Sequence, residues 1–292
     1  MKNKMRACSV VEIITPKKVL LNGLWFGPAK PKRAIIWVHG LGSSAFSKLD
    51  IVQKLADKNT AVMIFNNRGH DKISRIARAG EKRIGKTVLG GSAHEVFTDC
   101  ADDIQGAINF VKRAGVKNIW LVGHSTGCQK SIYWASRKGR GVKGIVLLAP
   151  ISDYSAEMYL KGKRKITLAV KAARALVAKG KKHELLPSDL WTDYFDAQRF
   201  LSLYTPESRE EMFTYAQPKK IPRLLQSVKL PILAVFAGQD EFADRPAIDI
   251  AEWFERNTEA NLETLVVPSA PHSFHGKETQ VSTAIKDWIG GQ

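Results

Sequence analysis

Several runs along the chain are rich in Val, Ile and Leu and continuous rather than alternating: "AIIWVHG" (34–40), "AVMIFNN" (61–67), "NIWLVGH" (118–124), "VKGIVLLAP" (142–150), "PILAVFAG" (231–238) and "LETLVVP" (262–268). Strands of this kind are covered on both faces, as in a parallel sheet sandwiched by helices. Between them, at 46–57, 95–114, 126–138, 246–256 and 277–288, apolar residues recur with helical spacing. Strand then helix, repeated, predicts an α/β fold with a mostly parallel central sheet and helices on both faces. At the front, "CSVVEIIT" and "VLLNGLWF" around "PKK" predict an antiparallel hairpin added at one edge.

The rhythm breaks after residue 150. The next strand begins only near Pro231, so 151–220 reads as a helical cap inserted into a core made of 1–150 and 221–292. The insertion holds nine of the chain's 25 aromatic residues, enough for a small core of its own and a pocket wall. Ligands of open α/β sheets bind outside the carboxyl ends of the strands, and the insertion leaves from such an end. It is therefore expected to cover the site, with Trp191 and Tyr194 among its substrate contacts.

Candidate chemistry begins at "GHSTG", where Gly123 and Gly127 flank Ser125 between a strand and a helix. A G-x-S-x-G corner presents the serine hydroxyl above the sheet, and the amide of Thr126, at the positive end of the new helix, is placed to hold an oxyanion. A nucleophilic serine needs a base, and the base needs an orienting acid. The strand ending in "QDEF" offers Asp240, with Asp153 after "LLAPIS" as the runner-up. The strand ending in "SAPHSFHGK" offers His272 ahead of His275, which abuts a helix start. The loop "VHGLGSS" supplies the second oxyanion amide at Leu41 and a substrate contact at Ser43, with His39 bracing the turn. His94 has no partner that the sequence identifies.

Charge and cysteine content then narrow the classes. The formal charge of +17 is partly local: nine Lys and Arg residues and no acid fall within 161–182. Such a run is ordinarily a solvated helix face, and nucleic acid is not an expected partner. Peripheral membrane contact through this basic segment stays open, because Ile166, Leu168, Val170, Leu176 and Val177 would line one side of it. The composition of the cap hints at aromatic or anionic acyl groups. Cys8, Cys100 and Cys128 are odd in number and lack metal-ligand spacing, which argues against a disulfide framework and against a zinc site. With no apolar run near bilayer length and no apolar leader in the first 18 residues, a cytoplasmic location is expected.

The segments "VHGLGSS", "IFNNRGHD", "LVGHSTGC", "LLAPISD", "FAGQDEFADRP" and "APHSFHGKE" together resemble the α/β-hydrolase superfamily over essentially the whole chain. The resemblance is to its serine esterase branch, which includes fungal siderophore-esterase-like and bacterial cinnamoyl- or feruloyl-esterase-like hydrolases. It implies Ser125 as nucleophile, Asp240 as acid, His272 as base and the amides of Leu41 and Thr126 as oxyanion donors. It further implies a carboxylic ester hydrolase acting on small or medium soluble esters, with no metal and no organic cofactor. Epoxide and haloalkane hydrolases place an aspartate where this chain has Ser125. Thioesterase, amidase and carbon–carbon hydrolase activities share the same residues and stay open, as does a non-catalytic binding protein on the same scaffold.

Overall fold

Each apolar run forms a strand. The computed structural model describes residues 5–80 and 87–292; the first four residues of the segment read for a leader lie outside them. The hairpin is β1 (Ser9–Ile14) and β2 (Leu20–Phe26), paired antiparallel. The sheet continues with β3 (Arg33–Val38) and β4 (Thr60–Phe65). A separate pair of short strands, β5 (Ser74–Ile76) and β6 (Val88–Gly90), was not anticipated, since three residues are too few to show a period. The remaining strands are β7 (Asn118–His124), β8 (Gly144–Leu148), β9 (Ile232–Ala237) and β10 (Leu262–Val267).

The main sheet has eight strands in the order β1-β2-β4-β3-β7-β8-β9-β10, and every neighbouring pair from β4 to β10 is parallel. The chain winds outward from β3 first to β4 and then, on the other side, to β7. That reversal opens a crevice at the carboxyl ends of the central strands. Alternate residues of one strand point to opposite faces, so Ile36 and Val38 join one apolar cluster while Ile35 and Trp37 join another. The first cluster is covered by α2 (Cys100–Arg113), α3 (Thr126–Ser136) and α8 (Ala247–Asn257). The second is covered by α1 (Leu49–Leu55) and α9 (Glu278–Gly291). Both faces of the central strands are dry, which is why those strands carry no polar alternation, while the edge strands β1 and β10 are partly exposed. Among the described residues no helix is long and apolar enough to cross a membrane.

Beyond β8 the insertion forms α4 (Asp153–Lys161), α5 (Lys163–Ala178) and α6 (Ala197–Tyr204). These helices enclose a third cluster that includes Ile166, Ala169, Trp191, Phe195, Phe200 and Tyr204. Ser152 caps α4 by accepting from Ser155 N, and Asp196 caps α6 by accepting from Arg199 N. On α5, Ile166 is buried and Val170 and Leu176 pack against the cluster, while Leu168 and Val177 are exposed with most of the lysines and arginines. The apolar residues of the basic segment thus divide between the cap's own core and solvent. Further on, Met212, Phe213 and Tyr215 return to the main core, where Phe213 lies 4.9 Å from Phe254 and Tyr215 lies 6.0 Å from Trp253, measured between ring centres. The short α7 (Arg223–Gln226) then leads into β9.

Cap and core are joined by buried charge. Glu95, before α2, receives Lys130 of α3 at 2.6 Å and Arg199 of α6 at 2.9 Å. Arg199 also holds Glu210. All four side chains are inaccessible to solvent or nearly so. Removing one member of such a set strands an opposite charge in a low-dielectric interior, which costs far more than a surface pair is worth. Arg199→Leu leaves Glu95 with Lys130 but leaves Glu210 with only the Ser202 hydroxyl at 2.8 Å. The variant is expected to lose about 3–5 kcal/mol of stability in equilibrium urea unfolding; a loss below about 1 kcal/mol would mean that the network is solvated and holds nothing.

Candidate active site

The strand-to-helix corner is strained where the sequence places its serine. Ser125 sits at φ 56° and ψ −129°, between the end of β7 and the first residue of α3. Its amide donates to Leu148 O on β8 at 2.9 Å and its carbonyl accepts from Cys128 N at 2.8 Å. The flanking glycines are required by close approach: a Cβ on Gly127 would lie 2.1 Å from Val38 O, and one on Gly123 would lie 2.3 Å from Gly127 O. A Cβ on Gly40 would meet Ser125 Cβ at 2.9 Å, so the loop after β3 lies directly against the serine.

Two further strand ends supply the partners. His272, after β10, donates from Nδ1 to Asp240 Oδ2, after β9, at 2.7 Å. That bond leaves Nε2 as the acceptor on the other side of the ring, the tautomer a general base needs. Asp240 is itself fixed by accepting from Phe242 N at 3.0 Å. The loop that carries His272 is held from several directions: its amide donates to Glu241 Oε2 at 2.8 Å, its carbonyl accepts from His124 Nε2 at 2.9 Å, and the Phe242 ring stands edge-on to the imidazole at 4.9 Å. Phe274 is fully buried beneath. Burial, with His272 close by, pushes the His124 imidazole well below the usual histidine range, so it donates as a neutral group. His275 lies in solvent, 3.4 Å from Glu278. Asp153 binds Gln129 Nε2 at 2.8 Å and does not pair with His272.

Of the two amides expected to face a developing oxyanion, neither Leu41 N–H nor Thr126 N–H has an acceptor among the described residues. Leu41 borders the cavity and Thr126 opens α3, where helix amides are free in the first turn. Behind Leu41, His39 is fully buried, and desolvation with Lys130 nearby pulls its imidazole down to about 3. It stays neutral, with Nδ1 2.9 Å from Gly40 O and Nε2 accepting from Asn67 N at 3.3 Å. It thus braces the turn. Arg68 organises the next loop, reaching Asp103 Oδ1 at 2.6 Å, Asp99 at 3.1 Å and also Asp102.

Ser125, His272, Leu41 and Ser43 border one cavity of about 320 Å³, roofed by Ile151, Ala156, Glu157 and Tyr204 from the insertion. Two expected contacts are absent from its wall. Trp191 is 2% exposed inside the cap, 4.8 Å from Phe200, and Tyr194 is 58% exposed at the outer surface. Trp191, with Phe195, Phe200 and Tyr204, builds the cap's own core instead, because large rings contribute most when fully buried. Tyr204, Phe242 and Glu157 are wall residues that the sequence did not single out; Phe242, two residues beyond Asp240, offered the one local signal. The basic residues of the cap are also absent from this wall, where the one lysine among the described residues is Lys48, whose Nζ donates to Ser273 O at 3.1 Å. Burial pushes the Asp153 and Glu157 carboxyls up and the Lys48 ammonium down, so all three are biased toward their neutral forms.

Residues 91–289 match the family described as protein of unknown function DUF1749, and the chain belongs to it. No curated protein matches the sequence. Among solved structures, the chain is similar to DcsB in complex with a substrate analogue (19% identity, TM-score 0.68, covering 98% of this chain and 99% of that one). It is similar to the siderophore hydrolase EstB from Aspergillus fumigatus (16%, TM-score 0.65, 93% and 94%). It is also similar to Est1E from Butyrivibrio proteoclasticus with ferulic acid bound (17%, TM-score 0.62, 96% and 98%). At these identities the likeness is one of fold, and the fold is that of the α/β-hydrolases.

The floor of the insertion titrates near neutrality. Glu211 accepts from Ser152 Oγ at 2.8 Å and from Gln217 Nε2 at 2.9 Å, and burial raises its carboxyl to about 7. An unfolded glutamate ionises near 4.5, so between that pH and 7 the unfolded chain binds fewer protons and stability falls as the pH rises. Glu211→Gln removes this loss. Relative to the wild type, the variant is expected to gain up to about 3 kcal/mol between about pH 4 and pH 8, read from urea unfolding at a series of pH values. A constant offset across that range would place the Glu211 carboxyl at an ordinary pKa.

Proposed function

We propose that this DUF1749 protein is a serine-dependent carboxylic ester hydrolase that cleaves small or medium, uncharged esters through an acyl-serine intermediate. The observation that carries the reading is the Nδ1–Oδ2 bond between His272 and Asp240 facing the same cavity as a serine on a strained strand-to-helix corner. In this reading His272 Nε2 takes the proton of Ser125 Oγ as the oxygen attacks the ester carbonyl. The tetrahedral oxyanion is held by Leu41 N–H and Thr126 N–H. Its collapse expels the alcohol, protonated by the same imidazole, and leaves the acyl-serine. A water deprotonated by His272 then releases the acid, while Asp240 keeps the imidazole tautomer and stabilises its charged form. The similarity in fold to a siderophore hydrolase and to Est1E with ferulic acid bound supports an ester as the substrate.

The walls bear on the acyl or alcohol group. A cavity of about 320 Å³ takes a short chain or a single ring. An anionic substituent entering it would meet Asp153 and Glu157, at least one of which it would force to stay protonated.

Hydrolysis of a chain-length panel of p-nitrophenyl and aryl esters tests the mechanism. Ser125→Ala and His272→Ala are expected to lose about 10⁴–10⁶ in kcat, and Asp240→Asn about 10⁴, with each variant folded by circular dichroism. Wild-type protein that neither turns over an ester nor reacts at Ser125 with a fluorophosphonate would make the chain a binding protein on a hydrolase scaffold. For substrate charge, a neutral acyl ester is expected to exceed an anionic half-ester of equal length by about 10-fold in kcat/KM. Glu157→Gln should narrow that ratio; a ratio that Glu157→Gln leaves unchanged would remove the carboxyl from substrate selection.

A further inference from the structure

Away from the cavity, the histidine without a sequence partner acquires two. His94 Nδ1 and His183 Nδ1 each lie 2.9 Å from Asp196 Oδ2, and the three donor atoms lie within 4.8 Å of one another. None of the three borders the cavity of Ser125. We propose that His94, His183 and Asp196 form a binding site for one divalent transition-metal ion of the zinc class, which pins the helical cap to the core.

The chemistry of the donor set fits such an ion. Two imidazoles and one carboxylate suit zinc and its neighbours and do not suit magnesium or calcium, which take oxygen ligands. Bonds of about 2.0–2.1 Å in a tetrahedral shell put donors about 3.3 Å apart. The two nitrogen–oxygen distances of 2.9 Å reach that by widening a few tenths of an ångström, and the two imidazole nitrogens, now within 4.8 Å of each other, reach it by closing on the ion. The fourth position falls to water, because the His183 side chain is 48% exposed while Asp196 is fully buried.

The backbone already holds the donors together. Asp196 N donates to Ala93 O at 2.8 Å, which fixes the carboxylate beside the residue that precedes His94. Leu186 N to Phe195 O, Ala197 N to Glu184 O and Gln198 N to Lys182 O, at 2.9–3.0 Å, pair the segment of His183 with that of Asp196. The second oxygen of Asp196 accepts from Arg199 N at 2.7 Å, so a buried bond orients the metal-ligating carboxylate from behind. His94 comes from the core loop between β6 and α2, whereas His183 and Asp196 belong to the insertion. An ion bound by all three therefore cross-links the two. The cysteines argued against a zinc site in the sequence; this one is built without them, from imidazole and carboxylate alone.

The test uses the full-length protein without a histidine tag, stripped with chelator and titrated with Zn²⁺ and with Co²⁺. One equivalent is expected to bind, with visible Co²⁺ absorption typical of four-coordinate geometry. The melting temperature should rise by about 3 °C or more at saturating Zn²⁺. His183→Ala, at the exposed ligand, should weaken binding at least 10-fold and abolish the thermal shift while Ser125 still reacts with a fluorophosphonate. His94→Gln should weaken binding in the same way. Less than half an equivalent of Zn²⁺ bound at micromolar concentration would overturn the proposal, as would binding that His183→Ala leaves unchanged. Reaction at Ser125 is read separately, so loss of the metal site and loss of the esterase reading are distinguishable.

Discussion

A serine held at positive φ is the constraint around which the carboxyl end of the sheet is built. A non-glycine residue in that conformation costs on the order of 1–3 kcal/mol and persists only where its surroundings over-determine it. Here they do. The Ser125 amide is tied to β8, Gly127 lets α3 press against the last carbonyl of β3, and Gly40 lets the following loop rest on the serine itself. One strained residue thereby commits three strands, a helix and a loop to a single arrangement. The free amides of Leu41 and Thr126 are a consequence, because both lie on segments that this packing fixes.

The cap is held differently. Its apolar cluster is largely its own, and a chain of buried charges from Lys130 through Glu95 and Arg199 to Glu210 carries its attachment to the core. Desolvation offsets much of what such pairs gain, so their net contribution to stability is small, while removing one partner is costly. A sliding apolar interface tolerates many registers; four charges that must each find a partner tolerate one. The same seating brings α4 over the cavity and sets Asp153 and Glu157 in its wall. Acids taken out of water there are biased toward protonation, and the roof of the cavity is polar without being strongly charged.

Net charge and site charge are therefore separate quantities in this protein. The +17 is carried outward, with most of the basic residues of α5 on the exposed side of the cap. The composition of the insertion pointed toward anionic acyl groups, and the cavity wall points the other way. A helix with one buried face has to put its lysines on the opposite one, so a basic segment that builds a cap turns its charge away from the space beneath it.

The chain by itself determined whatever depends on local spacing. Uninterrupted apolar runs meant strands dry on both faces, the 3.6-residue rhythm between them meant covering helices, and the missing strand after 150 marked the insertion. Glycines two residues either side of Ser125, with Asp240 and His272 each just past an apolar run, marked three strand ends that meet at one end of the sheet, because a strand end is a local event that a short motif records. Only the tertiary structure decided what depends on distant segments meeting. Trp191 turned into the cap core and Tyr194 to solvent, since both lie in the irregular stretch between α5 and α6, where no period states which side will be covered. The partner of Glu95 on α6, and the meeting of His94 with His183 and Asp196, join residues about a hundred positions apart or nearly so. Charges and imidazoles interact through space, with no periodicity that a sequence would carry, so their pairing appears only once the cap is seated.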